Sequence, residues 1–91
     1  MKLETIRRLL ASLKARESFP VSEYPNTAGR IAKAANVPRI TAYRYLKKLA
    51  KLELVKSFEI KAQVGTFSLI ETCYALTPKS DEFLESYREM I

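Results

Sequence analysis

Residues Thr27 to Val55 read TAGRIAKAANVPRITAYRYLKKLAKLELV, and this stretch decides the fold of the 91-residue chain. Apolar or small residues recur in it at the spacing of one helix face, once before Asn36 and again after Pro38. They are Ile31, Ala32 and Ala35, then Val37 at the break, then Ala42, Tyr45, Leu46, Leu49 and Leu52. The stretch therefore predicts two amphipathic helices joined by a tight turn.

The turn contains two residues that suit it. Asn36 is one of the few non-glycine residues that enter the left-handed conformation readily, and Pro38 has the fixed φ of a first helical turn. We expect a helix that is capped by Thr27 and ends near Ala35, followed by a helix from Pro38 to about Leu52. This arrangement is a helix-turn-helix.

The flanking segments predict two more helices and a hairpin. An apolar stripe predicts a first helix from Lys2 to about Glu17. Two prolines indicate that residues 18–26 form a loop, in which residues 19–21 are candidates for a short third strand. From Leu54 the pattern alternates, which predicts strands over 54–62 and 67–76 around the turn residue Gly65. Thr77 and Pro78 then begin a fourth helix, as a cap and a first-turn proline.

These residues resemble the winged-helix transcription regulators. Members typically have a Thr-Ala-x-x-Ile-Ala start, a Gly-Val-Ser turn, a Thr-small-Tyr-Arg-Tyr-Leu recognition helix and a Gly-Leu-Val segment before the hairpin. The chain has Thr27 to Ala32, Asn36 to Pro38, Thr41 to Leu46 and Glu53 to Val55 in the same order. It departs from the pattern at Asn36 and Glu53, where glycine is usual, and at Pro38, where serine is usual.

The resemblance is to the small winged-helix regulators of archaea and their viruses or plasmids, and more loosely to MarR-type and ArsR-type repressors. It implies an α+β, mostly α fold: three helices, a two-stranded hairpin wing and a C-terminal helix. We expect a single winged-helix domain over residues 1–91.

Composition excludes several classes of function. The chain has one cysteine, Cys73, and no histidine, so we expect no disulfide, no ordinary zinc site, no histidine-dependent catalytic triad and no cofactor. A half-buried structural thiol is the favoured reading of Cys73, over a redox sensor. No apolar run approaches the roughly 20 residues of a membrane span, and the charged first 18 residues are unlike a signal peptide. We therefore expect a cytoplasmic protein that is not an enzyme, in the host cell if the chain is viral.

The charge of the chain is unevenly distributed. Its net charge is +6, and residues 26–61 hold nine basic residues against Glu53 and Glu59. From Glu71 to the end the sign reverses, with acidic residues in excess. A basic region that coincides with the helix-turn-helix indicates a partner that is a polyanion. The alternative, that these lysines only solvate a helix surface, remains open.

The exposed face predicted for the third helix supplies most candidate DNA contacts. Arg39 and Arg44 have planar, forked guanidinium groups that can form two hydrogen bonds with guanine. The alternative is that both arginines only neutralise phosphates. Lys47 and Lys48 are better suited to phosphate contacts. Thr41 contacts either a phosphate or a carbonyl of its own helix. The full candidate set is Thr27, Arg39, Ile40, Thr41, Tyr43, Arg44, Lys47 and Lys48 with Lys61, Gln63 and Thr66 of the wing.

The wing tip is more apolar than a phosphate-gripping wing, since it includes Val64, Phe67, Leu69 and Ile70. These residues either pack against a partner chain or line the inner face of the sheet. We favour the inner face for Phe67 and Leu69, because one face of a two-stranded sheet needs to be covered.

The predicted function is sequence-specific binding of double-stranded DNA by a homodimer that regulates transcription. The first and fourth helices carry more apolar surface than a three-helix core buries, so they are the candidate dimer seam. The seam residues are Leu3, Ile6, Leu10, Phe83, Leu84, Tyr87 and Met90. The alternative is a winged-helix adaptor for protein assembly, in which acidic or apolar residues would occupy the exposed face of the third helix.

Overall fold

The computed structural model describes residues 2–17 and 25–90, and their elements follow the predicted order. The helices are α1 (Leu3–Ala15), α2 (Ala28–Ala35), α3 (Arg39–Lys51) and α4 (Pro78–Met90), and the strands are β1 (Val55–Val64) and β2 (Phe67–Leu76). This is the mostly helical α+β fold of a winged helix, as predicted. No helix in the described ranges is long and apolar enough to cross a membrane.

The apolar stripes of the first three helices meet in one core. Its fully buried members include Leu9 and Leu10 of α1, Ile31 of α2, and Leu46 and Leu49 of α3. Ala32, Ala35 and Ala42 are also buried, so small side chains lie where the helices cross, as the sequence pattern predicts.

The turn between α2 and α3 has the predicted conformation. The Thr27 hydroxyl accepts a hydrogen bond from the Arg30 amide at 3.4 Å, which caps α2. Asn36 is left-handed, with φ 57° and ψ 48°. Pro38 differs from the prediction: its ψ of 142° is extended, and α3 begins one residue later, at Arg39. The Pro38 carbonyl still accepts a hydrogen bond from the Ala42 amide at 2.9 Å, so Pro38 is the N-cap residue of α3.

Glu53 lets the chain turn from α3 into β1. Its φ is 64°, in the left-handed region that favours glycine, and the Leu54 amide donates a hydrogen bond to the Leu49 carbonyl at 3.0 Å. The Thr77 hydroxyl donates to the Glu53 carbonyl, so Thr77 holds this junction instead of capping α4 with its side chain. The left-handed residue ends α3 at Lys51, one residue before the predicted end.

Replacing Glu53 with glycine should stabilise the protein. A left-handed L-residue costs roughly 1–2 kcal/mol that glycine does not, although the added freedom of glycine in the unfolded chain offsets part of this. The ion pair of Glu53 with Lys79, at 3.8 Å between exposed groups, contributes little. We expect a net gain of up to about 1 kcal/mol, or a rise in Tm of roughly 4–8 °C, measured by thermal unfolding. Glu53→Ala is the control, because it removes the charge and keeps the strain; an equal rise in both variants would contradict this account.

The hairpin is longer than predicted. β1 pairs antiparallel with β2 from Val55 opposite Leu76 to Val64 opposite Phe67, which leaves only Gly65 and Thr66 in the loop. Gly65 has a φ of 61°, as the first position of a tight hairpin loop requires. Candidate strand residues 19–21 lie outside the described residues. Next to the hairpin, the described part of the chain adds an isolated bridge between Thr27 and Cys73.

The hairpin is covered at its base and exposed at its tip. Cys73 and Tyr74 are neighbours on opposite faces of β2, and both are buried, at 0% and 4% exposure. At the tip, Phe67 is 72% exposed and Leu69 is 50% exposed. The favoured prediction that these two residues line a covered inner face was wrong, because the strands project beyond the helices that cover their base.

The dimer seam predicted on α1 and α4 lies partly inside the core. Ile6 and Leu10 are 5% and 0% exposed within the single chain, so they cannot offer surface to a partner, as the prediction required. Phe83 and Leu84 are half-buried against the same core, and Leu3 remains 44% exposed. The side chains of Tyr87 and Met90 are not among those that the structure describes.

Candidate nucleic-acid interface

The exposed face of α3 presents the predicted DNA contacts. Burial of Ala42, Leu46 and Leu49 turns the opposite face outward, where Arg39, Tyr43, Arg44 and Lys47 are all exposed. The Lys47 ammonium lies 5.2 Å from the centre of the Tyr43 ring, which holds this cation along the helix.

A cavity of about 590 Å³ lies between the start of α2, the exposed face of α3 and the middle of β2. Six of the predicted DNA contacts line it: Thr27, Arg39, Ile40, Tyr43, Arg44 and Lys47. The helix-turn-helix and the base of the wing therefore form one concave surface.

Sequence reasoning missed the contribution of the hairpin base to this surface. Glu71, Thr72 and Tyr74 of β2 line the same cavity, and a second one of about 540 Å³ continues it along α3 to Ser57 and Glu59 of β1. In the strand register Ser57 pairs with Tyr74 and Glu59 with Thr72. These four residues therefore share one face of the hairpin. The strand register could have identified them as a group, but the sequence does not show which face of the hairpin lies against α3.

Arg39 lies against the start of α2. A Cβ atom added to Gly29 would lie 3.5 Å from the Arg39 Nε, which is an ordinary contact distance. The position of the Arg39 guanidinium therefore does not require glycine at residue 29. Gly29 and Ala28 line the cavity with Arg39. This contact places the Arg39 guanidinium at the junction of α2 and α3.

The other predicted contacts lie outside the cavity. Thr41 is half-buried on α3, Lys48 is exposed on α3, and Lys61 and Thr66 are exposed on the wing. Gln63 is engaged within the hairpin: its amide nitrogen donates to the Gly65 carbonyl at 3.2 Å, and its amide oxygen accepts from the Ser68 hydroxyl at 3.1 Å.

Four cations of α3 form no ion pair with the described part of the chain. Within residues 2–17 and 25–90, ion pairs form on α1, between α1 and α4, and between Lys79 and Glu53, but none includes Arg39, Arg44, Lys47 or Lys48. Unpaired cations on one concave face attract a polyanion.

Two buried groups of β2, at the base of the wing, are kept in their neutral forms. Burial raises the pKa of the Cys73 thiol, and burial also raises the pKa of the Tyr74 hydroxyl. Cys73 is therefore a fully buried thiol in its unreactive form, more enclosed than the half-buried thiol expected. In the ranges the structure describes, no group of three or more His, Cys, Asp or Glu residues is placed to hold a metal ion.

The fold is similar to that of MepR from S. aureus. A structure of a MepR mutant superposes with a TM-score of 0.63 and 18% sequence identity, over 99% of this chain and 58% of that one. MepR bound to ethidium bromide gives a TM-score of 0.63 at 20% identity, over 98% of this chain and 56% of that one. The chain thus spans a little over half the length of MepR, and the likeness concerns the fold. A comparison with curated protein sequences gave no significant match.

A family model settles the class of protein. The model of the sugar-specific transcriptional regulator TrmB matches residues 21–79, a segment that includes the helix-turn-helix and the whole wing. Members of this family are transcriptional regulators and not enzymes, which confirms the class of protein predicted from the sequence, while the homodimer stays a prediction. The chain belongs to the TrmB family of transcriptional regulators.

Proposed function

We propose that the protein binds specific sequences in double-stranded DNA as a homodimer and thereby regulates transcription. The observation that carries the proposal is the exposed face of α3, where Arg39 and Arg44 form no ion pair with any residue that the structure describes and share a cavity with Ile40 and Tyr43. Two guanidinium groups beside apolar and aromatic side chains match the donor and methyl pattern of base edges in the major groove.

The remaining contacts position the protein on the duplex. Lys47 and Lys48 follow Arg44 on α3 and reach phosphates on either side of the groove. Thr27 caps α2, whose N-terminal amides favour a phosphate. Lys61 and Thr66 extend the contact along the wing. Gln63 joins them only if it gives up its hydrogen bonds to Gly65 and Ser68.

The homodimer proposal rests on the outer surfaces of α1 and α4. Leu3 is exposed, Phe83 and Leu84 are half-buried, and Tyr87 and Met90 lie further along α4. Ile6 and Leu10 are left out of the seam, since the core of the single chain buries them. A twofold pair would present two α3 helices about one DNA turn apart. Binding of this kind requires no metal or cofactor, and it takes place inside the cell, where the DNA is.

The adaptor alternative keeps one supporting observation, the exposed apolar residues of the wing tip. Phe67 and Ile70 are 72% and 70% exposed, which is typical of a surface that contacts protein. The basic face of α3 favours DNA over the adaptor, because an adaptor has no use for unpaired arginines there.

Selection of bound duplexes from random DNA tests the proposed function. We expect enrichment of a sequence with two inverted half-sites whose centres are about 10 base pairs apart, because a twofold dimer repeats its contacts after one turn. The double variant Arg39→Ala, Arg44→Ala is the control and should enrich no sequence. Enrichment of a single half-site would overturn the dimer, and the absence of any enriched sequence with the unaltered chain would overturn specific binding.

A further inference from the structure

The outer half of the wing has two unlike faces. Directly paired residues of an antiparallel hairpin share a face, and successive residues alternate. One face, called here the apolar wing face, carries Ile60, Val64, Phe67 and Leu69, with Glu71 opposite Ile60 at its inner end. The other carries Glu59, Lys61, Gln63, Ser68, Ile70 and Thr72, and it continues the face on which Thr72 and Tyr74 line the α3 cavity. Glu71 still lines the first α3 cavity, but Ile60, Val64, Phe67 and Leu69 line neither of the two cavities along α3.

The two edges of the hairpin also differ. The outer edge of β2 is occupied near its base, where the Tyr74 amide donates to the Asn26 carbonyl at 3.0 Å and Thr27 bridges to Cys73. The outer edge of β1 has no ladder partner among the described residues, since the sheet there has two strands. An unpaired edge ten residues long is a template for another strand.

The hairpin register identifies the groups on that edge. Val64 and Phe67 flank the two-residue loop and form its closing hydrogen-bonded pair, and hydrogen-bonded pairs then alternate along the ladder. Ile60 therefore bonds toward β2, and the backbone groups of Glu59 and Lys61 point outward.

The sequence along this edge is self-complementary. If two β1 strands pair antiparallel about a twofold axis at Ile60, Glu59 of each copy lies opposite Lys61 of the other. Ser57 then lies opposite Gln63, and Ile60 lies opposite its own copy. Opposite charges directly across such a pair are stabilising, and like charges are destabilising.

Other registers lose this match. A shift of the axis by one residue, to Glu59 or to Lys61, sets like charges against each other at the centre. An axis between two residues places the polar face of one copy level with the apolar face of the other. On the outer edge of β2, an axis at Glu71 would oppose two carboxylates.

We propose that the β1 edge of the wing is a self-association surface, on which a second copy of this chain pairs antiparallel about Ile60. The product is a four-stranded sheet in which the two apolar wing faces lie side by side and the β1 flank of each is removed from water. The surface is separate from the α1 and α4 seam, and the inference does not depend on DNA binding.

Cysteine cross-linking of the full chain without DNA tests the pairing. Ile60 occupies a non-hydrogen-bonded position opposite its own copy, where Cα atoms are about 4.5 Å apart, within the range of a disulfide. Under mild oxidation with glutathione disulfide, Ile60→Cys should form covalent dimers about tenfold faster than Val64→Cys. Val64 is the matched control, because it lies 55% exposed on the same face and would sit opposite Lys56.

The unaltered chain is the background control, since its Cys73 is fully buried. Equal rates for the two variants, or faster dimerisation of Val64→Cys, would overturn the pairing about Ile60. Faster dimerisation at Val64 would instead indicate that two apolar wing faces stack on each other.

A charge swap gives a second, independent measurement. Glu59→Lys and Lys61→Glu each place like charges across the twofold axis, so each should weaken self-association several-fold in sedimentation equilibrium at low salt. The double variant restores opposite charges and should recover the affinity of the unaltered chain. The side chains of Glu59 and Lys61 are exposed, so we expect the single and double variants to fold like the unaltered chain. A double variant as weak as the single variants would overturn the proposal, whatever its effect on DNA.

Discussion

Raising the salt concentration from about 50 to 200 mM should weaken binding to double-stranded DNA by roughly a thousandfold or more, if a dimer places about 6–10 cations on phosphates. The basic residues available to each copy include Arg39, Arg44, Lys47 and Lys48 of α3, and none of these is paired with an acid in the described residues. Each phosphate contact releases condensed counterions, and added salt opposes that release. Titrations at four or more salt concentrations measure the slope.

The control for this slope is a cation away from the DNA surface. Lys14 lies on α1 and pairs with Glu17 at 3.3 Å and Asp81 at 3.5 Å. Lys14→Ala should leave the slope unchanged, whereas Lys47→Ala should reduce it by about one contact per copy. A nearly flat salt dependence for the unaltered chain would contradict the DNA-binding surface and support the adaptor.

Arg44→Ala should lower affinity for the preferred duplex by about 1–3 kcal/mol, roughly five- to 150-fold, with a smaller loss on random DNA. The guanidinium of Arg44 is exposed on the central turn of α3, where a bidentate contact with guanine discriminates between bases. Affinities of both duplexes at one salt concentration measure the difference.

Lys47→Ala is the matched variant, since it removes one charge from the next turn of the same face. It should weaken binding to both duplexes by the same factor, because phosphates carry no sequence information. Equal losses on the two duplexes for Arg44→Ala would remove Arg44 from base reading and assign it to the backbone.

The sequence by itself determined the elements and the class of protein. The spacing of Ile31, Ala35, Leu46 and Leu49 predicted α2 and α3, and Asn36 predicted the left-handed turn between them. Gly65 and the alternating residues around it predicted the hairpin. These features depend on backbone preferences and on which side of one element is apolar, and both are properties of neighbouring residues. The basic face of α3 follows from the same periodicity.

Only the tertiary structure decided which apolar faces are covered. Ile6 and Leu10 look like seam residues until α1 is packed on the core, and Phe67 and Leu69 look like inner residues until the wing is seen to extend past the helices. Glu71 and Tyr74 join Arg44 around one cavity although about 30 residues separate them in sequence. Burial depends on where each element ends relative to elements distant along the chain, and a local pattern contains no information about those distances.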